Sequence, residues 1–265
     1  MTQGAPGVPA RGPGGGRGLA SSLRHALRRG LRHPLRRRAC VTVCVGSSPG
    51  YCGTASMRGV MVMAVVNLKG GSSKTTSSAF LAHALAERGG GDVLLVDADP
   101  QGSAARWASL AEWELPVIEL AHRDLHRRLP GIVGDRYSTI VIDTPPMEDH
   151  RGIVISAMRA AGVVAVTLAP TMIELDRLPP VWSALDEVAA VREAPPAVAA
   201  LLTRTVPRAA STGVVRDVVV SGGHRVLDAM VPRRESYAQA YGAPVVVGPH
   251  YRAVAEELLT LGAAA

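Results

Sequence analysis

The sequence predicts an α/β protein in which a mostly parallel, twisted sheet carries helices on both faces. From Val62 onward, short apolar runs rich in Val, Leu, Ile and Ala alternate with longer stretches of helical periodicity. Apolar strands that alternate with amphipathic helices are typical of parallel sheets covered on both faces. The turn at residues 69–76, KGGSSKTT, joins the first apolar run to the first helical stretch and marks a strand–turn–helix unit.

Short apolar runs mark the predicted strands, and Ala- and Leu-rich stretches mark the predicted helices. Strands are expected over Met63–Leu68, Val93–Val96, Val117–Leu120, Thr139–Ile142, Val163–Leu168, Val198–Leu202 and Ala229–Val231. Helices are expected over Lys74–Arg88, Ser103–Trp113, Arg151–Ala161, Leu175–Arg192, Thr212–Ser221 and Tyr251–Leu261. Three glycines at 89–91 follow the first helix, and glycine commonly ends helices. These elements place the folded domain at residues 61–265.

Residues 1–60 differ from the rest in composition and are predicted to be a disordered extension. They contain ten Arg and no Asp or Glu, so the chain's net charge of +7 divides into +10 on this segment and −3 on the remainder. Three interpretations fit: an upstream extension from a misassigned start codon, an organellar transit peptide, or a basic amphipathic helix over Leu19–Arg29.

The positions of the cysteines and the lengths of the apolar runs indicate the cellular compartment in which the protein is expected. The three cysteines, Cys40, Cys44 and Cys52, all lie within residues 1–60, with no further ligands at zinc-type spacing. A body without cysteine excludes a structural disulfide there and fits a reducing cytoplasm. No apolar run reaches the roughly 18 residues that a membrane-spanning helix needs. The sequence therefore favours a cytoplasmic protein without stable membrane association.

The KGGSSKTT turn carries the strongest functional signal in the chain. A glycine turn between a strand and a helix lets backbone N–H groups and the helix N-terminus surround phosphate groups. In such a turn Lys74 contacts the β- and γ-phosphates, and Thr75 ligates Mg²⁺. The other predicted nucleotide-binding positions of the turn are Gly70, Gly71, Ser72, Ser73 and Thr76.

Lysine usage supports the same interpretation. Among 29 Lys and Arg residues only Lys69 and Lys74 are lysines, and both lie in this turn. Arginine is a wide planar fork, whereas lysine is slim enough to thread a tight loop. An arginine-biased chain that keeps lysine only here indicates a function that arginine does not serve.

Lys-Gly-Gly-x-x-Lys-Thr, with a lysine five positions before the second one, resembles the deviant Walker A motif of the ParA/MinD family of dimeric ATPases. The resemblance covers about residues 62–261 and implies a P-loop NTPase fold with ATP and Mg²⁺ as cofactors. It implies that Lys69 reaches the partner protomer's nucleotide, so that hydrolysis depends on dimerisation. The chain departs from the motif at Ser73, where the family has Gly. Serine there costs up to ~1 kcal/mol if the backbone needs a positive φ.

Two acidic segments extend the resemblance. Residues 96–102, VDADPQG, are similar to the family's DxDPQG segment, which implies that Asp99 positions the attacking water and Asp97 supports the Mg²⁺ site. Residues 140–146, IVIDTPP, resemble a Walker B strand in which Asp143 holds Mg²⁺ through water. Both segments end predicted strands, and open α/β sheets bind ligands at the carboxyl ends of their strands.

Two later segments, at 201–204 and 230–234, correspond to regions that line the adenine pocket and carry basic surface in the family. The resemblance implies adenine-side positions at Thr203, Arg204 and Pro232. It also implies contacts to DNA without sequence preference, with Arg204, Arg216, Arg225, Arg233 and Arg234 as candidates. Ordinary solvated arginines in an arginine-biased chain are an equally open interpretation.

The resemblance implies a short ParA-type ATPase for plasmid or chromosome segregation, without an N-terminal helix-turn-helix domain. ATP would drive a homodimer onto non-specific DNA of the nucleoid, and a ParB-like centromere-binding protein would trigger hydrolysis. A MinD-like positioning ATPase is an alternative, although residues 251–259 lack the basic amphipathic face that membrane binding requires. A non-hydrolysing nucleotide switch is another, because of Ser73. A cobyrinate-synthase-like amide ligase is a further alternative, which would need an additional glutaminase domain or partner.

Overall fold

A computed structural model describes residue 1 and residues 59–264. The strands in this part of the chain are Met61–Val66 (β1), Val93–Asp97 (β2), Val117–Glu119 (β3), Thr139–Asp143 (β4), Val163–Leu168 (β5) and Ala197–Leu202 (β6). The helices are Lys74–Arg88 (α1), Ser103–Leu110 (α2), Leu125–Val133 (α3), Met147–Ala160 (α4), Met172–Asp176 (α5), Pro179–Ala190 (α6), Ala210–Ser221 (α7), Glu235–Ala238 (α8) and Pro249–Ala263 (α9). The helix predicted over Leu19–Arg29 and the three cysteines lie outside the described residues.

The six strands form one parallel sheet in the order β3-β2-β4-β1-β5-β6. Strand β1 lies between β4 and β5, so the first strand of the domain occupies the middle of the sheet. All carboxyl ends meet at one edge because the strands are parallel. The turn after β1 therefore neighbours the segments that follow β4 and β5, and the segments after β2 and β6 lie one strand further along the same edge.

Each face of the sheet is covered by helices, as the sequence predicts. Alternate residues of β1 point to opposite faces, so Val62, Ala64 and Val66 join one core while Met63 and Val65 join the other. The first core includes residues of α3, α4, α6 and α7, and the second includes residues of α1, α2 and α9. Among residues 59–264, no helix is long and apolar enough to cross a membrane.

The main differences from the prediction are one helix that is divided in two, one helix that was not predicted and one strand that is absent. The helix expected over Leu175–Arg192 is two helices, α5 and α6, because Pro179 and Pro180 cannot continue a helix and instead begin α6. Helix α3, which contains Pro130, was not predicted. The strand expected over Ala229–Val231 is wrong, because this region contributes only isolated bridges, Ala200 with Val226 and Thr205 with Pro232.

Candidate functional site

The turn between β1 and α1 has the backbone of a tight cradle. Gly71 has φ 70°, and Ser73, the residue just before α1, has φ 67° and ψ 18°, in the left-handed region. The Ser73 carbonyl accepts the first helical hydrogen bond, from the Ser77 N–H at 2.8 Å. The predicted condition for strain at Ser73 is therefore met, and the left-handed backbone carries a cost of about 1 kcal/mol.

The ammonium group of Lys74 lies folded across this turn. Its Nζ donates to the Lys69 carbonyl at 2.9 Å and lies 3.5 Å from Ser72 Oγ. Burial lowers the pKa of Lys74, while the charges of Asp143 and Asp99 act in the opposite direction. A buried cation bonded to a single carbonyl keeps donor capacity for an anion, and phosphate oxygens would supply the missing acceptors.

A buried asparagine that the sequence analysis missed anchors the start of the turn. Asn67 follows β1 directly, donates through Nδ2 to the Thr167 carbonyl of β5, and accepts through Oδ1 from the Lys69 N–H at 3.1 Å. Thr144, after β4, donates to the Val65 carbonyl at 2.7 Å. The turn is thus tied to the strands on both sides of β1. A polar residue that interrupts an apolar run was the available signal for Asn67.

Asp143 and Asp97 face each other across neighbouring strands, as paired positions of β4 and β2. Asp143 Oδ1 accepts from Ser78 Oγ at 3.0 Å, and the nearby Thr75 hydroxyl acts to lower the pKa of this carboxylate. Burial, followed by the charge of Asp97, raises the pKa of Asp143 to about 7. Its buried Oδ2 has no hydrogen-bond partner among the described residues.

These groups fit a hydrated magnesium ion. The unpartnered Asp143 oxygen and the Thr75 hydroxyl are hard oxygen donors beside the KGGSSKTT turn, and Mg²⁺ prefers such ligands. A buried carboxylate oxygen without a hydrogen-bond donor is costly, and a nearby cation would relieve that cost.

Asp97 and Asp99 shape the turn that follows β2. Asp97 accepts from the Asp99 N–H at 3.1 Å and from the Ala105 N–H at 2.9 Å, so each of its oxygens holds backbone of the turn or of α2. Burial raises the pKa of Asp97. Asp99 is partly buried and accepts from the Gln101 N–H at 2.9 Å. The two acids therefore hold different parts of one turn, and the water and Mg²⁺ roles implied for them stay predictions.

Lys69 forms an ion pair with Glu148, in the first turn of α4. The amides of Met147 and Glu148 donate at 3.1 Å to the carbonyls of Asn67 and Leu68, which docks the start of α4 onto the entry to the turn. The sequence analysis did not single out Glu148, since the contact depends on β4 lying beside β1 rather than on any local pattern.

The two segments predicted on the adenine side meet in the structure. The Thr203 N–H donates to the Leu168 carbonyl at 2.8 Å, and the Arg233 N–H donates to the Thr205 carbonyl at 2.9 Å. Thr203 Oγ1 is buried without a hydrogen-bond partner among the described residues. Arg204 adopts φ 55°, and Pro232 is bridged to Thr205. The segments thus follow β6 at the same sheet edge as the phosphate turn.

The candidate DNA-binding arginines fall into two groups. Arg204, Arg225, Arg233 and Arg234 are exposed. Arg216 instead pairs with Asp228 and donates to the Leu227 carbonyl at 2.9 Å, so its guanidinium holds a neighbouring loop. The exposed arginines are accordingly the better candidates for contacts to phosphate.

A parallel sheet with a glycine turn after its central strand, a buried lysine across that turn and two acids at adjacent strand ends define a P-loop nucleotide-binding domain. The chain belongs to the CobQ/CobB/MinD/ParA nucleotide binding domain family, whose model matches residues 63–245. This membership confirms the ParA/MinD resemblance and the predicted fold class.

Two relatives illustrate the family's range. The chain is 31% identical over 208 residues to "Maintenance of carboxysome distribution protein A" of Halothiobacillus neapolitanus, a match that covers 74% of this chain and 92% of the relative. It is 26% identical over 236 residues to "Chromosome partitioning protein ParA" of Caulobacter vibrioides, covering 70% of this chain and 86% of the relative. Both matches span most of the relative's length.

A solved structure shares the fold as well. Cobyrinic acid a,c-diamide synthase from Mycobacterium smegmatis, with bound ADP and magnesium, is 25% identical and superposes with a TM-score of 0.60. The match covers 76% of this chain and 94% of that chain. The similarity therefore extends through nearly all of that enzyme chain.

Proposed function

We propose that this protein is a Mg²⁺-dependent ATPase that dimerises on ATP, binds DNA without sequence preference and drives DNA partition. The observation that carries the proposal is the phosphate turn, where Lys74 is buried across the loop and Lys69 lies at its entry. Two lysines in one turn provide one cation for the protomer's own phosphates and one for those of a second copy. The relative described as a chromosome partitioning protein supports DNA as the molecule that this protein distributes.

Each residue of the site has a distinct task in this proposal. Loop amides and Lys74 bind the phosphates, and Thr75 with Asp143 holds Mg²⁺, which neutralises charge on the β- and γ-phosphates. Asp99 orients the attacking water, and Asp97 fixes the turn that carries Asp99. Lys69 acts on the partner's nucleotide, so a ParB-like partner protein that stabilises the dimer's reactive form accelerates hydrolysis.

A second candidate function is positioning of a protein compartment. The relative described as a carboxysome distribution protein favours it, at 31% identity against 26% for the partitioning protein. Both candidates need the same ATP-driven dimer and differ in what the partner protein carries. A partner that binds a specific DNA site supports partition, and one that binds a protein shell supports positioning.

A MinD-like membrane cycle finds less support in the structure. Helix α9 buries Tyr251, Val254, Leu258 and Leu261 in the core that it shares with α1. Its apolar face is therefore already covered and is not presented to a membrane surface.

Lys74→Ala tests the proposal directly. Loss of the buried ammonium should abolish Mg²⁺-dependent ATP binding by calorimetry, because the other lysine of the turn, Lys69, is paired with Glu148. Arg88→Ala is the matched control, since it removes an exposed cation at the far end of the same helix. Unchanged ATP affinity in Lys74→Ala would contradict the assignment. Phosphate release by the parent with DNA and a partner separates an ATPase from a non-hydrolysing switch.

A further inference from the structure

The lysine expected to act on a second copy is held within its own protomer. The Lys69 ammonium pairs with the Glu148 carboxylate, and both side chains are about one-third exposed, at 38% and 31%. The ion pair thus lies at the surface, but both side chains are only partly exposed to water. A lysine that must reach another protomer's phosphates cannot keep this partner in the same geometry.

Backbone contacts hold both ends of the pair in place. The Lys69 N–H is bonded to Asn67 Oδ1 at 3.1 Å, and the Glu148 N–H is bonded to the Leu68 carbonyl at 3.1 Å. Glu148 also lies in the first turn of α4, where an acidic side chain interacts favourably with the helix dipole. Because both main chains are already fixed, only side-chain entropy is lost when the ion pair forms.

Two ion pairs that join separate helices of the domain are more open to solvent. Arg151 pairs with Glu187 at 2.6 Å with both side chains more than half exposed, at 52% and 56%. Arg88 pairs with Glu256 at 49% and 58% exposure. Greater exposure means stronger screening, so the Lys69–Glu148 pair is the better-shielded contact of the three.

We propose that Glu148 is an autoinhibitory latch that retains Lys69 in the free protomer and must release it before a dimer forms. The inference rests on the proposed function, since it assumes that Lys69 acts on the nucleotide of a second copy. Release happens in both protomers, so the latch opposes dimerisation twice. It thereby keeps free protomers from pairing until ATP supplies the opposing phosphate charge.

The size of the effect follows from what such pairs contribute. Half-exposed ion pairs shift an equilibrium by about 1.5- to 5-fold. Two ion pairs must open for each dimer, one in each protomer, so the effect of losing the latch on the dimerisation constant is the square of this factor of about 1.5 to 5. Glu148→Gln should accordingly lower the dimer dissociation constant by about 2- to 30-fold.

The first measurement asks whether the latch exists, and the chain is well suited to it because Lys69 and Lys74 are its two lysines. The nucleotide-free full chain is treated with an amine-acetylating reagent, and modification of each lysine is followed by mass spectrometry. Lys69 should react about 2- to 5-fold faster in Glu148→Gln than in the parent, with Lys74 as the internal reference. An unchanged Lys69 rate would overturn the proposal.

The second measurement asks what the latch does. Dimerisation of the full chain with a non-hydrolysable ATP analogue and Mg²⁺ is measured by sedimentation for the parent, Glu148→Gln and Glu187→Gln. The control Glu187→Gln removes the same charge from an exposed pair that also involves α4, and should stay within 2-fold of the parent. Equal dimer affinity of Glu148→Gln and the parent, or an equal gain in the control, would overturn the latch.

Failure of the proposed function has a different signature. If neither the parent nor Glu148→Gln binds the analogue or dimerises, the ATPase proposal fails and the latch with it. If only Glu148→Gln dimerises, the latch is supported. Should Glu148→Gln not fold, Glu148→Asp keeps the charge but withdraws it by one methylene, and should show the same changes at smaller size.

Discussion

Ser73 is the residue of the phosphate turn with the least favourable backbone, because a side chain at φ 67° crowds the adjoining carbonyl. The left-handed conformation costs about 1–2 kcal/mol for a residue with a Cβ, and glycine avoids this cost. Glycine also has more conformational freedom in the unfolded chain, which lowers the stability of the folded state by about 0.5–1 kcal/mol. Ser73→Gly should therefore raise the free energy of unfolding by about 0.5–1 kcal/mol, measured by urea denaturation without nucleotide.

The neighbouring glycine provides the control for this change. Gly71 has φ 70° and open space where a Cβ would lie, so Gly71→Ala tests backbone strain without a steric clash. It should lower the free energy of unfolding by a comparable amount. A destabilised Ser73→Gly protein would mean that the serine hydroxyl contributes more than the backbone costs.

If Asp143 holds Mg²⁺ as proposed, metal binding should be sensitive to pH near neutrality. The Asp143 pKa of about 7 lies above the ordinary value of 3.8, so the folded protein holds a proton here that the unfolded chain has released. That proton stabilises the fold at low pH, and the contribution is lost as pH rises from about 4 towards 7. Magnesium binds the carboxylate form, so it must displace the same proton.

Affinity for Mg²⁺ in the presence of ATP should consequently rise between pH 6 and pH 8. Below pH 7 the gain approaches tenfold per pH unit, and it levels off above the pKa. Calorimetry in buffers of different ionisation enthalpy would detect the released proton. Asp143→Asn should bind Mg²⁺ weakly and without this pH dependence, whereas Asp92→Asn, before the start of β2, should behave as the parent. A flat profile in the parent would contradict the assignment.

At the scale of elements, local patterns were sufficient where one element supplied its own signals. Helix α1 and strand β5 have their predicted bounds, since an Ala/Leu stretch ended by glycines and an unbroken apolar run leave few alternatives. Helix α3 was not predicted, and in the structure its Leu125, Leu129 and Val133 all face the core around Pro130. Burial of that apolar stripe outweighs the missing hydrogen bond.

Contacts between elements set the limit of what the sequence could predict about the site. The residues of KGGSSKTT are consecutive, so their shared role was visible in the chain. The roles of Asn67 and Glu148 were not visible in this way. Their hydrogen-bond partners lie 100 and 79 residues away in the chain and come close only because of the order of the strands in the sheet. Ser78 is similar, since its bond to Asp143 spans 65 residues. Such contacts follow from topology rather than from periodicity.

The whole molecule carries its charge unevenly, which bears on DNA binding. The first 60 residues hold +10 and the rest −3, so a mildly acidic domain must concentrate its exposed arginines to bind phosphate. Arg233→Ala with Arg234→Ala should weaken retention on every DNA sequence alike, with a shallower dependence on salt, because these contacts reach only the backbone. ATP binding should survive the change.

This measurement needs a chain that begins at Met61, since ten arginines in the first 60 residues could bind DNA by themselves. The shortened chain should bind ATP as the full chain does, because β1 starts at that residue. Arg252→Ala is the control, as it removes an exposed arginine from α9. If the shortened chain binds ATP but is not retained on DNA, Arg233 and Arg234 do not belong to a DNA-binding surface.

Lys69 and Asp99 belong to different steps of the proposed ATPase cycle, which both protomers of the dimer carry out together. Lys69 lies on the entry side of the turn, where its ammonium meets Glu148 rather than the protomer's own phosphate cradle. Asp99 lies in the turn after β2, beyond the acids that face each other on β2 and β4. In the proposed mechanism one side chain assembles the dimer and the other orients water.

The two residues should therefore fail differently. Lys69→Ala should bind ATP but neither dimerise nor hydrolyse it, whereas Asp99→Ala should bind ATP, dimerise and remain locked. Loss of a water-orienting group slows hydrolysis by about 10²-fold or more, equivalent to about 3 kcal/mol of barrier. Sizing chromatography with ATP, run beside phosphate-release assays, distinguishes the two variants. Parental turnover in Asp99→Ala would exclude the water role, and a stable ATP dimer of Lys69→Ala would exclude action across the interface.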